Sequence, residues 1–312
     1  VFFSKLQWLF PQKVMQVHLY DFRWSNDSEF EFQAALENRF AKKPLKIGDN
    51  LSMALKSDVS CAGSVRDGIF QPCQNQTPGK KKCEFCRGRE GGFIFTSFDG
   101  FNTANYTPED LAQIQGPHVV YLALFDTNII KVGVSKLERK SLRQVEQGSE
   151  ATLYIAQTTD GVMARQIETL FRKSGLIDKV NASTKKDFIC PEITIERTEE
   201  VLRDVFEKHK NCLNDYENLN SYFLKNPEFK HWGNTYNLDN IKNNSKSFHT
   251  IKLQNGESVS GRIIAARGAF LILELPDEIV SICSKDLNGY QVEFDPIPPG
   301  LKLNQAFQSA LF

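Results

Sequence analysis

No stretch of this sequence stays apolar over the roughly 18 residues that a membrane-spanning helix requires, so no transmembrane segment is expected. Charge of one sign is missing too. The 38 basic side chains stand against 38 acidic ones, for a formal net charge of zero. Such a chain is not coated in lysine for bulk nucleic-acid binding, and any contact with nucleic acid has to come from local patches. Cysteine is sparse and odd in number, seven in 312 residues, which excludes a small secreted disulfide scaffold. No internal repeat occurs. The first ten residues are apolar but short, with one lysine and no small-residue cleavage pattern. A signal peptide is therefore not expected, a start nearer Met15 or a truncation stays open, and a cytoplasmic location is expected.

What is present suffices for folding. Hydrophobic residues make up 41% of the chain and charged ones 24%. That excludes disorder, and the length predicts two or three domains, each with a core. Apolar runs at residues 14–20 and 30–36, and alternation at 51–55, predict strands. Pro72, Pro78, Gly79, Gly88, Gly91 and Gly92 leave little room for helix or long strand over 61–92. Residues 118–125 and 129–134 read as strands joined by the turn Asp126-Thr127-Asn128. The polar stretch 135–147 reads as a helix stopped by Gly148, and 151–157 as a third strand. Asp160 can N-cap a helix over 161–174 that puts Met163, Ile167, Leu170 and Phe171 on one face. Thr198 would cap a helical stretch over 196–224, with Glu199 and Glu200 at its positive end. The Asn- and Lys-rich stretch 225–248 reads as a linker. Five short strands (251–253, 259–265, 269–275, 279–283 and 290–294) suggest a small β-barrel. From Pro296 onward no element is predicted.

Four of the cysteines crowd together. Eleven residues separate Cys61 from Cys73, nine separate Cys73 from Cys83, and two separate Cys83 from Cys86. A Cys-x-x-Cys turn sets two thiolates on one side of a tight knuckle, and Cys61 and Cys73 supply the two more that tetrahedral zinc needs. Four cysteines leave no open position, so this zinc is expected to be structural and to order a loop with little core of its own. The alternative is a redox pair, Cys83 and Cys86, beside two unrelated thiols. Cys190 and Cys283 read as small buried hydrophobes. Around the knuckle lie Lys80, Lys81, Lys82, Arg87 and Arg89, with Phe85, Phe93, Phe95 and Phe98 nearby. Cations interleaved with aromatics can grip phosphates and stack bases, which makes Lys80, Lys81, Lys82 and Arg87 candidate substrate-binding residues. The plain alternative is a solvated basic loop over a phenylalanine-rich minicore.

Within 118–172, Val119-Val120-Tyr121 comes first and Lys131-Val132-Gly133 follows on the paired strand. Arg143 then lies on a helix and Glu168 on the next. This order resembles the GIY-YIG nuclease superfamily. A closer resemblance covers roughly residues 45–295. The four knuckle cysteines, residues 131–135, 143–148, 164–168 and 268–273, and Leu287-Asn288-Gly289-Tyr290 resemble an uncharacterised, largely bacterial family, domain of unknown function 2797.

The resemblance implies metal-assisted phosphodiester cleavage. Glu168 would hold Mg²⁺ or Mn²⁺, and Arg143 would neutralise charge on the phosphoryl oxygens. Tyr121 would position or activate water, and Gly133 would let substrate or a helix come close. Lys131 stands where the second motif has Tyr. It can contact phosphate but is a poor general base at its ordinary pKa. Val119 replaces the first motif's glycine. Gln147 joins the substrate-binding candidates. Each residue also has an ordinary reading. Glu168 can pair with Arg172 or Arg165, Tyr121 can be a core tyrosine, and Arg143 can belong to a polar helix face beside Glu146. His118 is the only histidine of this region. Residues 131–188 hold eleven basic and seven acidic side chains, a local excess of positive charge.

The expected architecture is α+β. Strands and a four-cysteine zinc knuckle fill 1–115. A GIY-YIG-like α/β domain with a small mixed sheet spans 116–195, a helical connector and linker 196–248, and a small β-barrel-like domain 249–312. The expected function is a divalent-metal-dependent nuclease or a nuclease-derived protein that binds DNA or RNA. The alternative is a different enzyme that takes a small molecule on the same scaffold.

Overall fold

A computed structural model of the chain describes residues 15–36, 39–66, 69–90, 94–294 and 299–303. Segment 1–13, Phe93, the side chain of Phe95 and most of the stretch from Pro296 onward lie outside the described residues. Two compact units emerge. One combines the described residues up to 90 with those from 239 onward, and the other runs from 94 to 238.

The first unit opens as an antiparallel meander of β1 (Met15–Trp24), β2 (Glu29–Leu36) and β3 (Arg39–Lys46), followed by β4 (Asn50–Leu55). Leu51, Met53 and Leu55 point inward from β4 and are fully buried, as their alternation predicts. Residues 61–90 hold more regular structure than their turn formers suggest. A hairpin of β5 (Gly63–Arg66) and β6 (Ile69–Pro72) precedes the two-turn helix α1 (Glu84–Glu90). Gly63 opens β5 and Pro72 closes β6, so these residues bound the elements without interrupting them.

The second unit is a four-stranded sheet with helices. Hairpin β7 (His118–Asp126) and β8 (Ile129–Lys136) leads to α2 (Lys140–Gln147), then β9 (Ala151–Thr158), α3 (Gly161–Lys173), α4 (Ile195–His209) and β10 (Phe223–His231). The sheet order is β10-β9-β7-β8, and every pairing is antiparallel. The expected mixed sheet is not formed, because β9 returns on the far side of β7 and so runs against it. Strand β10 takes up the end of the expected helical stretch 196–224 and the start of the supposed linker 225–248. Pro227 interrupts its pairing at a bulge between Phe223 and Glu228, tolerable on an edge strand.

Two helix boundaries of this unit follow the sequence. Gly148 ends α2 in the left-handed region at φ 72°, and the Asp160 carboxylate accepts the Met163 N–H at 3.0 Å to begin α3. Ile167, Leu170 and Phe171 of α3 and Leu202 and Phe206 of α4 cover one sheet face, against Val120, Leu122, Leu124, Leu153 and Ile155. The cap of α4 is Thr194, whose hydroxyl accepts from Arg197 N–H at 3.3 Å, not Thr198. Thr198 is buried and donates to the Ile195 carbonyl.

Back in the first unit come β11 (Ser247–Ile251), β12 (Ser258–Arg267), β13 (Phe270–Glu274), β14 (Glu278–Cys283), β15 (Gln291–Phe294) and β16 (Gly300–Lys302). They do not close into a barrel. β12 pairs with β4, and β15 sits between β4 and β1, so N- and C-terminal strands share one ten-stranded sheet. Its path runs from β11 to β3 and stays open among the described residues. Edge strand β3 carries Lys42, Lys43 and Pro44, which discourage further strand addition.

No described helix is long and apolar enough to cross a membrane.

Candidate functional site

The four clustered cysteines converge. Their Sγ atoms all lie within 4.8 Å of one another, and all four residues are buried. Cys73 and Cys83 are 3.8 Å apart at sulfur, far beyond a disulfide and close to the edge, about 3.8 Å, of a tetrahedron with metal–sulfur bonds of about 2.3 Å. The Cys86 N–H donates to Cys83 Sγ at 3.5 Å, as a knuckle requires. That bond is the main influence holding the Cys83 thiol down at about 6, with the neighbouring thiols adding to it against a smaller desolvation effect. Burial pushes Cys61 and Cys86 up. The donor set suits a soft or borderline metal ion.

The C-terminal turn braces this cluster. Gly289 (φ 87°) accepts from Ser60 N–H at 2.8 Å and from His18 Nε2 at 2.9 Å. A Cβ there would stand 2.8 Å from the Ser60 carbonyl, so the close approach to the residue before Cys61 admits only glycine. Lys81 donates to the Lys285 carbonyl at 2.6 Å and pairs with Asp286 at 3.2 Å. Lys82 bonds Glu90, lies over the Tyr20 ring at 4.5 Å and donates to its hydroxyl at 3.1 Å. Burial lowers the pKa of Lys82 and raises that of Glu90. Lys80 pairs with Glu84 at 3.7 Å, and Arg87 is exposed. Of the four expected substrate cations, Lys80 and Arg87 face solvent most freely.

In the second unit the register explains a second close approach. Tyr121 on β7 sits opposite Gly133 on β8, and its ring lies over the glycine. An added Cβ would meet the Tyr121 hydroxyl at 2.6 Å and ring carbons at 2.7 and 2.9 Å. Gln147 at the end of α2 donates to that hydroxyl at 2.8 Å and to the Arg143 carbonyl at 3.1 Å. Lys131, two residues before Gly133 on the same strand face, places its ammonium 5.9 Å from the Tyr121 ring centroid and donates to the Asp178 carbonyl at 3.4 Å. Burial would raise the Tyr121 pKa. The charges of Lys131 and Arg143 and the Gln147 bond outweigh it and hold the phenol below its ordinary value, against an opposing effect of Glu168. Tyr121, Lys131, Arg143, Gln147 and Glu168 therefore share one electrostatic neighbourhood. Tyr121 is nevertheless 0% exposed. Glu168 on α3 is buried and pairs with Arg165 at 2.5 Å, the i−3 partner that helical spacing allows.

Beside this centre runs a groove of about 370 Å³. Lys136, Arg139, Arg143 and Arg165 line it, with His118, Ser135 and Glu138. Glu146 binds Arg139 at 2.9 Å and lies 3.9 Å from Arg143. His118 Nδ1 faces the Gly116 carbonyl at 2.8 Å, which fixes the proton there and leaves Nε2 as an acceptor. Burial chiefly lowers the His118 pKa, with Lys136 and Arg165 adding to it against the Gly116 bond and Asp160. Lys136, Arg139 and Arg165 were not among the sequence candidates. For Lys136 and Arg139 the signal existed, since four cations fall within residues 136–143.

Residues 100–292 match a family described as a protein of unknown function, DUF2797. The match covers more than half of the chain. The chain belongs to this family. No curated protein and no solved structure matches it. The DUF2797 span takes in the Tyr121 centre, the basic groove and the Leu287–Tyr290 turn, and it starts after Cys86.

Proposed function

We propose that this DUF2797 member acts on nucleic acid through the basic groove of residues 94–238, as a divalent-metal-dependent nuclease of GIY-YIG type. The observation that carries the reading is four cations lining one groove, one of which, Arg143, also exerts its charge on the Tyr121 hydroxyl. The order of hairpin, helix with Arg143, strand and helix with Glu168 supports it as well. A phosphodiester in the groove would meet Lys136, Arg139 and Arg143, and Arg143 would neutralise charge that grows on the phosphoryl oxygens.

Glu168 offers a single carboxylate. Arg165 takes its Oε2, and Oε1 accepts no hydrogen bond among the described residues. That fits an ion such as Mg²⁺, which keeps most positions for water and would polarise the phosphate when bound. Gln147 holds the Tyr121 hydroxyl, with the Lys131 charge beside the ring, and Tyr121 would orient the attacking water once its ring is uncovered. At the cysteine cluster zinc is the proposed metal, as a structural ion.

A second reading is a binding protein that has lost the reaction. The sealed Tyr121 and the Arg165 contact to Glu168 favour it. One experiment separates the two. Purified protein is incubated with Mg²⁺ or Mn²⁺ and labelled DNA or RNA, beside Glu168→Gln and Arg143→Ala. Cleavage lost in Glu168→Gln supports the nuclease. Binding without cleavage, weakened by Arg143→Ala, supports the second reading. Neither binding nor cleavage sinks both and turns attention to a small-molecule substrate.

A further inference from the structure

The knuckle carries an aromatic that the fold leaves in solvent. Phe85 lies between Cys83 and Cys86 and is 58% exposed, although both flanking cysteines are buried. With those thiols turned inward, helix α1 cannot rotate to hide the ring. The outward position of Phe85 is thus imposed by the cluster itself. One turn later on the same helix face, the Arg89 guanidinium stands 4.9 Å from the ring centroid. Gly88 lies between them. A Cβ at Gly88 would meet nothing within 4 Å, and its φ needs no glycine. Packing therefore gives no reason for this residue, which weakens a helix. Its effect is to leave bare backbone beside an exposed ring. Arg87 and Lys80 are exposed nearby, the latter with Glu84 at 3.7 Å.

A flat ring, a guanidinium stacked near it, an unfilled space beside it and cations around it form a stacking platform. A nucleobase in a duplex has no face to offer such a platform, whereas an unpaired base does. We propose that Phe85 stacks an unpaired base of single-stranded nucleic acid, with Arg87 and Arg89 on the flanking phosphates. This rests on the nucleic-acid reading above but on a separate surface, and it names the substrate class as single-stranded or locally unpaired.

The test uses the full chain with its metal bound and two fluorescent probes, a single-stranded oligonucleotide and a blunt duplex of the same length. Phe85→Ala should weaken single-strand binding by about tenfold and leave the duplex within about twofold, whereas Phe85→Trp should keep single-strand affinity. Bound metal should stay unchanged in both variants, because the Phe85 ring is mostly exposed. Arg143→Ala serves as the groove control. If it weakens binding while Phe85→Ala does not, the stacking proposal fails and the groove reading stands. If wild-type protein binds neither probe at low salt, both fail. Self-association abolished by Phe85→Ala, with oligonucleotide binding unchanged, would overturn the proposal in favour of a protein partner.

Discussion

Around Cys61, Cys73, Cys83 and Cys86 the chain buries thiols in a cluster containing no other buried apolar side chain, whereas the sheet that carries Tyr121 buries a full layer of Val, Leu, Ile and Phe beneath two helices. Beyond the thiols, the first region rests on few apolar contacts, chiefly Phe70 of β6 against Tyr20 and Phe40. The second stands on its own core, and on its opposite face a smaller apolar cluster of Val119, Tyr121, Ala123, Phe125 and Tyr154 seats Lys131 and Gln147, while the groove holds arginines. The difference teaches which residues each region can lose. In the knuckle the chemical groups are the fold. In the sheet they are mounted on it.

The largest expected effect breaks the comparison on the knuckle side. Binding free energies of roughly 10–16 kcal/mol are typical of structural zinc in small peptides. Chelation, or Cys83→Ser with Cys86→Ser, should therefore open residues 60–66 and 69–90. Amide exchange there should rise by orders of magnitude, while 120–124 and 164–171 stay protected. Equal protection before and after chelation would mean that apolar contacts, not metal, hold the loop.

On the other side, Phe171→Ala removes a fully buried ring stacked at 6.5 Å on Phe206. A loss of about 3–5 kcal/mol is expected, read from the denaturant midpoint of the second unit. Bound metal should not change. A parallel fall in metal content would show that the two regions do not stand independently. Gly133→Ala probes the mounted centre with a smaller expected loss, about 1–3 kcal/mol, because its Cβ would meet the Tyr121 hydroxyl at 2.6 Å. Paired with Tyr121→Leu it should cost less than the sum of the two single changes. Strict additivity would mean that the ring moves aside freely.

Local features were legible in the sequence. Asp160, Gly148, the Asp126-Thr127-Asn128 turn and the apolar face of α3 all rest on contacts a few residues apart, which periodicity and capping chemistry report directly. The four cysteines converge as their spacing suggested. Long-range pairing was not legible. Nothing in the β12 sequence announces that Val259 pairs with Met53, and without that pairing five strands look self-sufficient. Strand β10 was hidden by Asn226 and Pro227, which fall at its bulge. At the site, helical spacing marks Arg165 only as a partner of Glu168. Its place in the groove depends on how α3 crosses the sheet, which no local pattern encodes.

The smallest test concerns one of these local misreadings. Helix α4 offers two threonines four residues apart, and only the geometry separates them. Thr194 has extended backbone (ψ 158°) and accepts from Arg197 N–H, so it satisfies a donor that the helix cannot. Thr198 lies inside the first turn and donates back to Ile195, a contact that replaces no missing helix bond. Thr194→Ala should therefore lower stability by about 1 kcal/mol. Thr198→Val, which keeps shape and burial, should lower it by less. Because both changes act on a helix that covers the apolar sheet face, any loss should appear in the unfolding of the second unit and leave metal content unchanged. The reverse order of sizes would move the start of α4 by one turn and restore Thr198 as its cap.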